Sequence, residues 1–333
     1  MTYDERSAYL KRELVVVLFD KYYNNVAFRG SKITVGGSKF IGIQQDNFVI
    51  KLHNINYALL ADALSRGYRY IRVQIEEKNK KAIIVFNGEI RMVNVGKSSA
   101  VEREVEFICL TRASDILANL VVPITMHSSM NGWTIKEALK VLEDSISTHY
   151  GQTISLCNNL DKDLDKILIK ESYNAHKSPV EIIEDLVTLV NERKPIGPNA
   201  PAWFDYKLTT SENNSDGLFS IFSSNESIRA LNIGPETGLL DAPTISDLEI
   251  SFNHIYHGSL VPGQLVRLDN KWVSTMGNDS AFVWAWDPAH QYLITEARYL
   301  LENYPNRFTV SCRARSYSKY NRFTATNQIY GEN

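Results

Sequence analysis

Apolar and polar residues alternate along several short segments in the first and last thirds of this 333-residue chain. The pattern is present from Phe48 to His53, from Arg103 to Leu110, from Leu248 to Asn253 and from Phe308 to Arg315. A period of two is that of a β-strand with one buried face. These segments predict two β-rich regions separated by the middle of the chain.

The first region, residues 1–125, contains further strand candidates and one short helix. Additional strands are predicted at Glu13–Phe19, Tyr68–Ile75 and Ala82–Val95. The helix spans Tyr57–Arg66, and Gly67 is its expected C-terminal stop; its apolar stripe consists of Leu59, Leu60, Ala63 and Leu64. Several strands with one helix predict a small β-barrel or sandwich crossed by a helix.

The middle region, residues 126–226, changes to a helical pattern. Thr134 and Glu137 have the spacing of a capping box, and Ser178 and Glu181 repeat it around Pro179 at the first helical turn. Strand candidates accompany the two helices at Gln152–Cys157, Trp203–Thr209 and Gly217–Ser223. This region is predicted to be an α+β unit.

The third region, residues 227–317, returns to β-structure. Gln264–Leu268 is another predicted strand, residues 231–247 form a lead-in loop, and a helix is predicted near Leu293–Asn303. Residues 318–333 are polar, and we expect a mobile tail. The order of the regions predicts a multi-domain α+β chain in which two antiparallel β-modules flank a helix-containing domain.

Composition limits the classes of function. The net charge is −2 and 44% of the residues are hydrophobic, which argues against a protein whose main task is to grip nucleic acid. Cys109, Cys157 and Cys312 are sparse and odd in number, as is typical of reduced thiols in a cytosolic protein. No apolar run is long enough to cross a bilayer, and the N-terminus lacks the layout of a signal peptide.

Motifs for metal and phosphate binding are incomplete. His254 and His257 lie in or just after an alternating strand, where an odd separation directs side chains to opposite faces, so surface or turn histidines are the expected interpretation. Asp161, Asp163 and Asp165 begin like a calcium loop, but the glycine and the final glutamate of that loop are missing. Gly96-Lys97-Ser98 lacks the first glycine of a phosphate-binding loop, and a polar turn is expected there.

Motifs for catalysis are incomplete as well. Gly36-Gly37-Ser38 does not complete a nucleophile elbow, because Phe40 occupies the position of its last glycine. Cys109 and Cys312 fall on apolar strand faces. A carboxylate pair for sugar hydrolysis stays open, and four tryptophans would suit a sugar groove or, more often, a core: Trp203, Trp272, Trp284 and Trp286. We therefore predict no catalytic, cofactor or metal site.

The order of motifs in the first region resembles the hub proteins of contractile phage tails, which are related to the base of the type VI secretion spike. Asn47–Ile50 precedes the helix, and Tyr70–Gln74 follows it. The next strand contains Phe86, Gly88 and Ile90, and is similar to the "phenylalanine-x-glycine-x-isoleucine" strand of the hub pattern. The strand Glu104–Phe107 and the helix opened by Trp133-Thr134 come next in that pattern.

The third region continues the resemblance. Gly238 and Pro243 belong to a lead-in before Leu248–Phe252, and Pro262-Gly263 lies in a segment similar to "leucine-x-proline-glycine-x-x-valine". Gln291–Thr295 and Phe308–Arg313 match the strands that close a second barrel. The sequence departs from the pattern at Gly277–Arg298, where Ala281–Trp286 and the predicted helix replace a simple strand connection.

The resemblance implies two tube-like antiparallel β-barrel domains, residues 1–125 and 227–317, flanking the domain 126–226. It further implies a homotrimeric ring in the tail baseplate of a virion, assembled in the host cytoplasm without membrane insertion. The implied partners are the tail tube protein, the spike protein and the tape-measure protein, and DNA would pass through the lumen without specific binding. Two alternatives stay open: a glycan-binding or glycan-degrading tail module, and a distal-tail or tube protein of another tail type.

Overall fold

The computed structural model describes residues 12–42, 46–77, 80–97, 103–111, 117, 119–151, 156, 159–160, 164–194, 204–208, 219–223, 230–245, 249–269 and 291–317. The chain divides into two compact units. The first takes in residues 1–40, 45–112 and 229–317, and the second mainly residues 113–228. The predicted mobile tail, residues 318–333, lies outside the described residues.

The first third of the chain forms seven strands and one helix. They are β1 (Arg12–Phe19), β2 (Asn25–Phe28), β3 (Lys32–Phe40), β4 (Asn47–His53), α1 (Tyr57–Ser65), β5 (Tyr70–Glu77), β6 (Ile83–Lys97) and β7 (Arg103–Thr111). The predicted strands and helix are confirmed. Asn56 caps the N-terminus of helix α1, where its side chain accepts hydrogen bonds from two helical amides, and the helix ends before Gly67, whose φ is +80°. Strand β3 was not predicted, because its glycines weaken the strand pattern.

The second unit contains β8 (Val122–Met126), α2 (Ile135–Tyr150), β9 (Asn159–Leu160), β10 (Tyr173–Lys177), α3 (Pro179–Arg193), β11 (Phe204–Leu208) and β12 (Phe219–Ser223). Both predicted capping boxes are present. The Thr134 amide donates to Glu137 Oε2 at 2.7 Å, and the Ser178 amide donates to Glu181 Oε2 at 2.9 Å. Strand β10 pairs with β8, and β12 pairs with β11 and β9. Of the predicted strand Gln152–Cys157, only Leu156 lies within the described residues.

The last third returns to the first unit as β13 (Leu231–Ile233), β14 (Thr244–Ile245), β15 (Glu249–Ile255), β16 (Leu265–Leu268), β17 (Tyr292–Glu302) and β18 (Arg307–Ser316). The helix predicted near Leu293–Asn303 is wrong, because that segment is strand β17. A β-bulge at Thr295 shifts the alternation by one residue. Leu293, Ile294, Ala297 and Leu301 are among the buried residues of β17, and the spacing of these four imitates a helix.

The strands of the first and last thirds belong to one 13-stranded sheet. Its order is β14-β15-β18-β17-β3-β4-β7-β6-β5-β1-β2, with β16 attached to β17 and β13 to β16. The two regions meet where the second half of β17 pairs antiparallel with β3, and one hydrophobic core contains residues from both. The described residues thus form an α+β fold dominated by antiparallel sheet, as predicted. The division into two barrels stays a prediction.

Candidate functional site

The motif residues on β6 form a close-packed aromatic contact. Phe86 is fully buried and its ring stacks on that of Phe48 in β4, with centroids 4.2 Å apart. A Cβ atom on Gly88 would lie 2.3 Å from the Leu110 carbonyl oxygen and 2.3 Å from Cζ of Phe86. Glycine is therefore required at position 88, because the Phe86 ring and the β7 backbone fill the space of a side chain. Ile90 packs against the same core.

A second glycine has the same role on the neighbouring strand pair. Gly37 of β3 lies between Phe48 and Tyr299 in the register of the sheet, and its Cβ would lie 2.3 Å from Cδ1 of Phe48. Phe48 stacks on Tyr299 at 5.8 Å, and Tyr299 meets Tyr256 edge-to-face at 5.1 Å. We call Phe86, Phe48, Tyr299 and Tyr256 the aromatic row. The aromatic row crosses the junction of the two β-rich regions. It becomes visible only from the pairing register of β3 with β17 and β4.

The motif Pro262-Gly263 forms a tight turn. Hydrogen bonds connect this segment to strand β17 and to Tyr299 of the aromatic row. The Gln264 amide donates to the Val261 carbonyl at 3.1 Å, and Gly263 has φ +88°, as the third position of a type II turn requires. The Gly263 amide donates to the Ile294 carbonyl at 2.8 Å. The Tyr299 hydroxyl donates to the carbonyl of Leu260 at 3.1 Å. The turn thus joins strand β16 to the centre of the sheet.

The motif residues Gly238 and Pro243 hold the lead-in segment on strand β15. Gly238 has φ +113°, and its Cβ would lie 2.9 Å from Cε1 of His254. The Ile255 amide donates to the Gly238 carbonyl at 2.8 Å, and the Leu240 amide donates to the Asn253 carbonyl at 2.9 Å. Pro243 is buried immediately before β14. All seven motif residues therefore have packing or turn-forming roles.

His254 and His257 do not point to opposite faces, and His254 is not a surface residue. Strand β15 ends at Ile255, and the two rings lie edge-to-face with centroids 5.2 Å apart. Nδ1 of the fully buried His254 donates to the Ile255 carbonyl at 2.6 Å. Burial lowers the pKa of His254 to about 4 and also lowers the pKa of His257. Among the described residues, no three potential metal ligands come together.

Sequence reasoning missed a buried charged pair beside the aromatic row. Asp46 is 3% exposed and Lys39 is 6% exposed. Burial raises the pKa of Asp46 to about 6, opposed by the Lys39 ammonium group and by a 3.1 Å hydrogen bond that the Phe40 amide donates to Asp46 Oδ1. Lys39 Nζ also lies 5.7 Å from the centroid of the Tyr299 ring. Lys39 and Asp46 flank a strand connection, and their burial depends on the tertiary structure.

The remaining candidates show no catalytic geometry within the described residues. Gly36-Gly37-Ser38 is part of strand β3, and Gly96-Lys97 ends strand β6 where a turn was expected. Cys109 and Cys312 are buried, and burial raises the pKa of Cys109 to about 12 and raises that of Cys312. The other candidates lie outside the described residues: Ser98, Asp161, Asp163, Trp203, Trp272, Trp284 and Trp286.

Solved structures with this fold come from phage tails and a type VI secretion system. A component of the E. coli type VI secretion system, described as structurally similar to the T4 bacteriophage tail proteins gp27 and gp5, aligns with a TM-score of 0.53 at 13% identity, covering 87% of this chain and 75% of its own. The 43 kDa tail protein of prophage MuSo2 from Shewanella oneidensis aligns at 0.53 and 10% identity, covering 91% and 96%. A tail protein from Neisseria meningitidis aligns at 0.51 and 11%, with the same coverage.

These similarities confirm the resemblance to tail hub proteins at the level of the fold. The chain thus shares its fold with phage tail proteins and with a component of a type VI secretion system. Neither the models of protein families nor the curated protein sequences contain a match to this sequence. Across the part of the chain that the structure describes, the helices are too short or too polar to span a bilayer.

Proposed function

We propose that this protein is a structural hub of a phage tail baseplate, forming a homotrimeric ring that adapts a six-fold tail tube to a central spike. The observation that supports this proposal most directly is the pairing of β3 with β17, which combines two β-rich regions in one sheet. A chain with two similar sheet-forming regions can present six of them as a trimer, which matches six-fold to three-fold symmetry. In this proposal each region forms a tube-like barrel.

The partners follow from that position. One face of the ring binds the tail tube protein, the other binds the spike protein, and the lumen holds the end of the tape-measure protein. DNA passes through without specific binding, in keeping with a net charge of −2. The protein acts in the virion after assembly in the host cytoplasm and does not turn over a substrate.

The oligomeric state tests this proposal. Analytical ultracentrifugation of purified protein at micromolar concentration should give three times the chain mass, and negative-stain images should show rings with a central opening. Addition of the cognate tube protein should produce larger stacked rings. A particle that stays monomeric, both alone and with the tube protein, contradicts the hub.

The alternatives are separated by other readouts. Cleavage of, or saturable binding to, bacterial surface polysaccharide would favour a glycan-directed module. Hexamers in place of trimers would favour a tube or distal-tail protein. The glycan module is motivated by acidic residues and four tryptophans, and those tryptophans lie outside the described residues.

A further inference from the structure

Strand β6 is longer than the strand beside it, and its second half has a neighbour on one side only. Strand β5 pairs with Ile83–Glu89, and the Ile90 amide donates to the Arg69 carbonyl at 2.8 Å just beyond that ladder. From Met92 to Lys97, β6 pairs with β7 alone among the described residues. We call residues 92–97 the β6 edge. It is about as long as an average strand.

The register shows which main-chain groups of the β6 edge face outward. In an antiparallel pair, residues alternate between bonding the neighbouring strand and facing away from it. The Ile90 amide points to the β5 side, so Ile90 makes no ladder bond to β7. A bulge at Arg91 then places Met92 in a hydrogen-bonded pair with β7. The amides and carbonyls of Val93 and Val95 therefore face the open side, without a partner among the described residues.

The β6 edge also exposes apolar side chains. Met92 and Val95 are 53% and 64% exposed, whereas Val93 packs against the core. A Cβ atom on Gly96 would meet nothing within 4 Å, so the space beside it is open as well. Proteins usually protect an edge by shortening it, covering it or adding charge, and an open apolar edge accepts another strand readily. We therefore expect a strand to cover the β6 edge in the assembled protein.

Pairing of the β6 edge with the same edge of a second copy is unfavourable. Antiparallel pairing centred on Asn94 would set Arg91 of each copy opposite Lys97 of the other, and like charges directly opposite on paired strands are destabilising. A single pair of such short strands also buries less than the roughly 1,000 Å² that a stable complex needs. A head-to-tail ring avoids both problems, because each copy uses two different edges and several contacts close the ring together.

A second open edge lies at the end of the sheet. Strand β14 is the last strand in the order and pairs only with β15 among the described residues. The segment before it also lies along β15, where the Leu240 amide donates to the Asn253 carbonyl at 2.9 Å. Leu240 is 47% exposed, and Asp241, Ala242 and Thr244 are exposed too. We call residues 240–245 the β14 edge. It matches the β6 edge in length, whereas β2, at the opposite end of the order, has four residues.

We propose that the β6 edge of one copy pairs with the β14 edge of a second copy, and that three such contacts close the ring. The contact consists of main-chain hydrogen bonds and of apolar cover for Met92 and Val95. This inference rests on the proposed hub, because the homotrimer is the ring that the contact closes. Within one chain, β3 and β17 join the first and last thirds; between chains, β6 and β14 join them again.

A proline on the β6 edge tests the contact in the full chain. Val95→Pro removes an amide that faces away from β7, so the strand keeps its own ladder bonds, as prolines on edge strands do. In sedimentation equilibrium, the concentration at which half of the chains are trimeric should rise at least about tenfold. Val95→Lys should weaken the trimer in the same direction. Val49→Lys is the matched control and should leave the trimer unchanged, because Val49 is an exposed valine of β4, which is paired on both sides.

Cross-linking tests the choice of the second edge. The double variant Val95→Cys with Thr244→Cys, treated with a flexible bismaleimide, should give covalent dimers and trimers. Each single variant should give no more product than wild type, and cross-linked dimers from Val95→Cys alone would reveal two-fold pairing of the same edge and overturn the proposal.

The remaining outcomes separate this contact from the hub itself. A wild-type trimer that Val95→Pro and Val95→Lys leave intact overturns the contact and leaves the hub standing. A trimeric double-cysteine variant that gives no cross-linked product does the same, as does a loss of the trimer in Val49→Lys equal to that in Val95→Lys. A wild-type chain that stays monomeric overturns both proposals.

Discussion

The side-chain amide of Asn303 pairs with the backbone of Leu14 as a neighbouring strand would. Asn303 Oδ1 accepts the Leu14 amide at 2.7 Å, and its Nδ2 donates to the Leu14 carbonyl at 3.3 Å. The same Nδ2 donates to the Ser31 carbonyl at 3.1 Å, and the backbone amide of Asn303 donates to the Ile33 carbonyl at 3.1 Å. Strands β1 and β3 share no ladder, so Asn303 links them: its side chain bonds Leu14 of β1 and Ser31 just before β3, and its backbone amide bonds Ile33 of β3.

Replacing Asn303 should destabilise the first unit. Asn303→Ala leaves the amide and carbonyl of the buried Leu14 without these partners, and we expect a loss of about 2 kcal/mol in the free energy of unfolding. Urea unfolding measures it. Asn94→Ala removes an exposed asparagine of β6 whose side chain donates to Glu106 at 3.0 Å, and should change stability by less than about 0.5 kcal/mol. Equal effects of the two variants would contradict a linking role for Asn303.

Three of the strand glycines, Gly88, Gly37 and Gly36, should differ sharply on substitution by alanine. At Gly88 a Cβ meets the Leu110 carbonyl oxygen at 2.3 Å, and at Gly37 it meets the Phe48 ring at 2.3 Å and the Asn47 carbonyl oxygen at 2.7 Å. Moving the backbone carbonyl groups away from the new Cβ would disrupt the pairing of the strands. Both variants should therefore lose at least about 2 kcal/mol in the free energy of unfolding. At Gly36 nothing lies within 4 Å. Gly36→Ala should be neutral or stabilising by up to about 1 kcal/mol, and a strongly destabilising result there would refute this account of the sheet.

Acid should destabilise the protein through His254. The pKa of His254 in the folded protein is about 4, below its ordinary value of 6.5, so the unfolded chain binds the proton first. Stability is fully present above pH 6.5 and is lost as the pH falls toward 4, by roughly 3 kcal/mol. His254→Asn has no such titration.

Urea unfolding of wild type and His254→Asn across this range should therefore show a gap in stability that changes with pH. The gap should be constant above pH 7 and should shift in favour of the variant as the pH falls below 6.5. A gap that does not change between pH 7 and pH 4.5 would show that the imidazole is not held neutral by burial.

Asp46 should have the opposite dependence. Its pKa is raised from 3.8 to about 6, so the folded state retains a proton that the unfolded chain has released. Its contribution to stability is therefore present at low pH and is lost as the pH rises from about 4 to about 6. The variant Asp46→Asn should gain on wild type by roughly 3 kcal/mol across that window. Lys39→Met removes the opposing charge and should move the window to higher pH; an unmoved window would show that Lys39 does not act on Asp46.

Short-range signals in the sequence were sufficient for much of the secondary structure. Each capping box, at Thr134 and at Ser178, is formed by two residues three positions apart. The Pro262-Gly263 turn is formed by four consecutive residues. Alternation predicted β4, β7, β15 and β18, because each has one buried and one exposed face. The order of the motifs predicted the fold that this chain shares with phage tail proteins. These features depend on local geometry or on a pattern carried along one segment.

Only the tertiary structure decided which strands are neighbours and what lies between them. Leu14 and Asn303 are separated by 289 positions, and neither carries a mark that identifies its partner. The bulge at Thr295 made a strand resemble a helix, and the end of β15 brought His254 and His257 together. The register of β3 between β17 and β4 explains Gly37, and it is fixed by packing of the whole sheet. Sequence patterns thus determined the elements, whereas long-range pairing determined the aromatic row and the burial of Asp46, because contacts distant in sequence form only when the sheet is assembled.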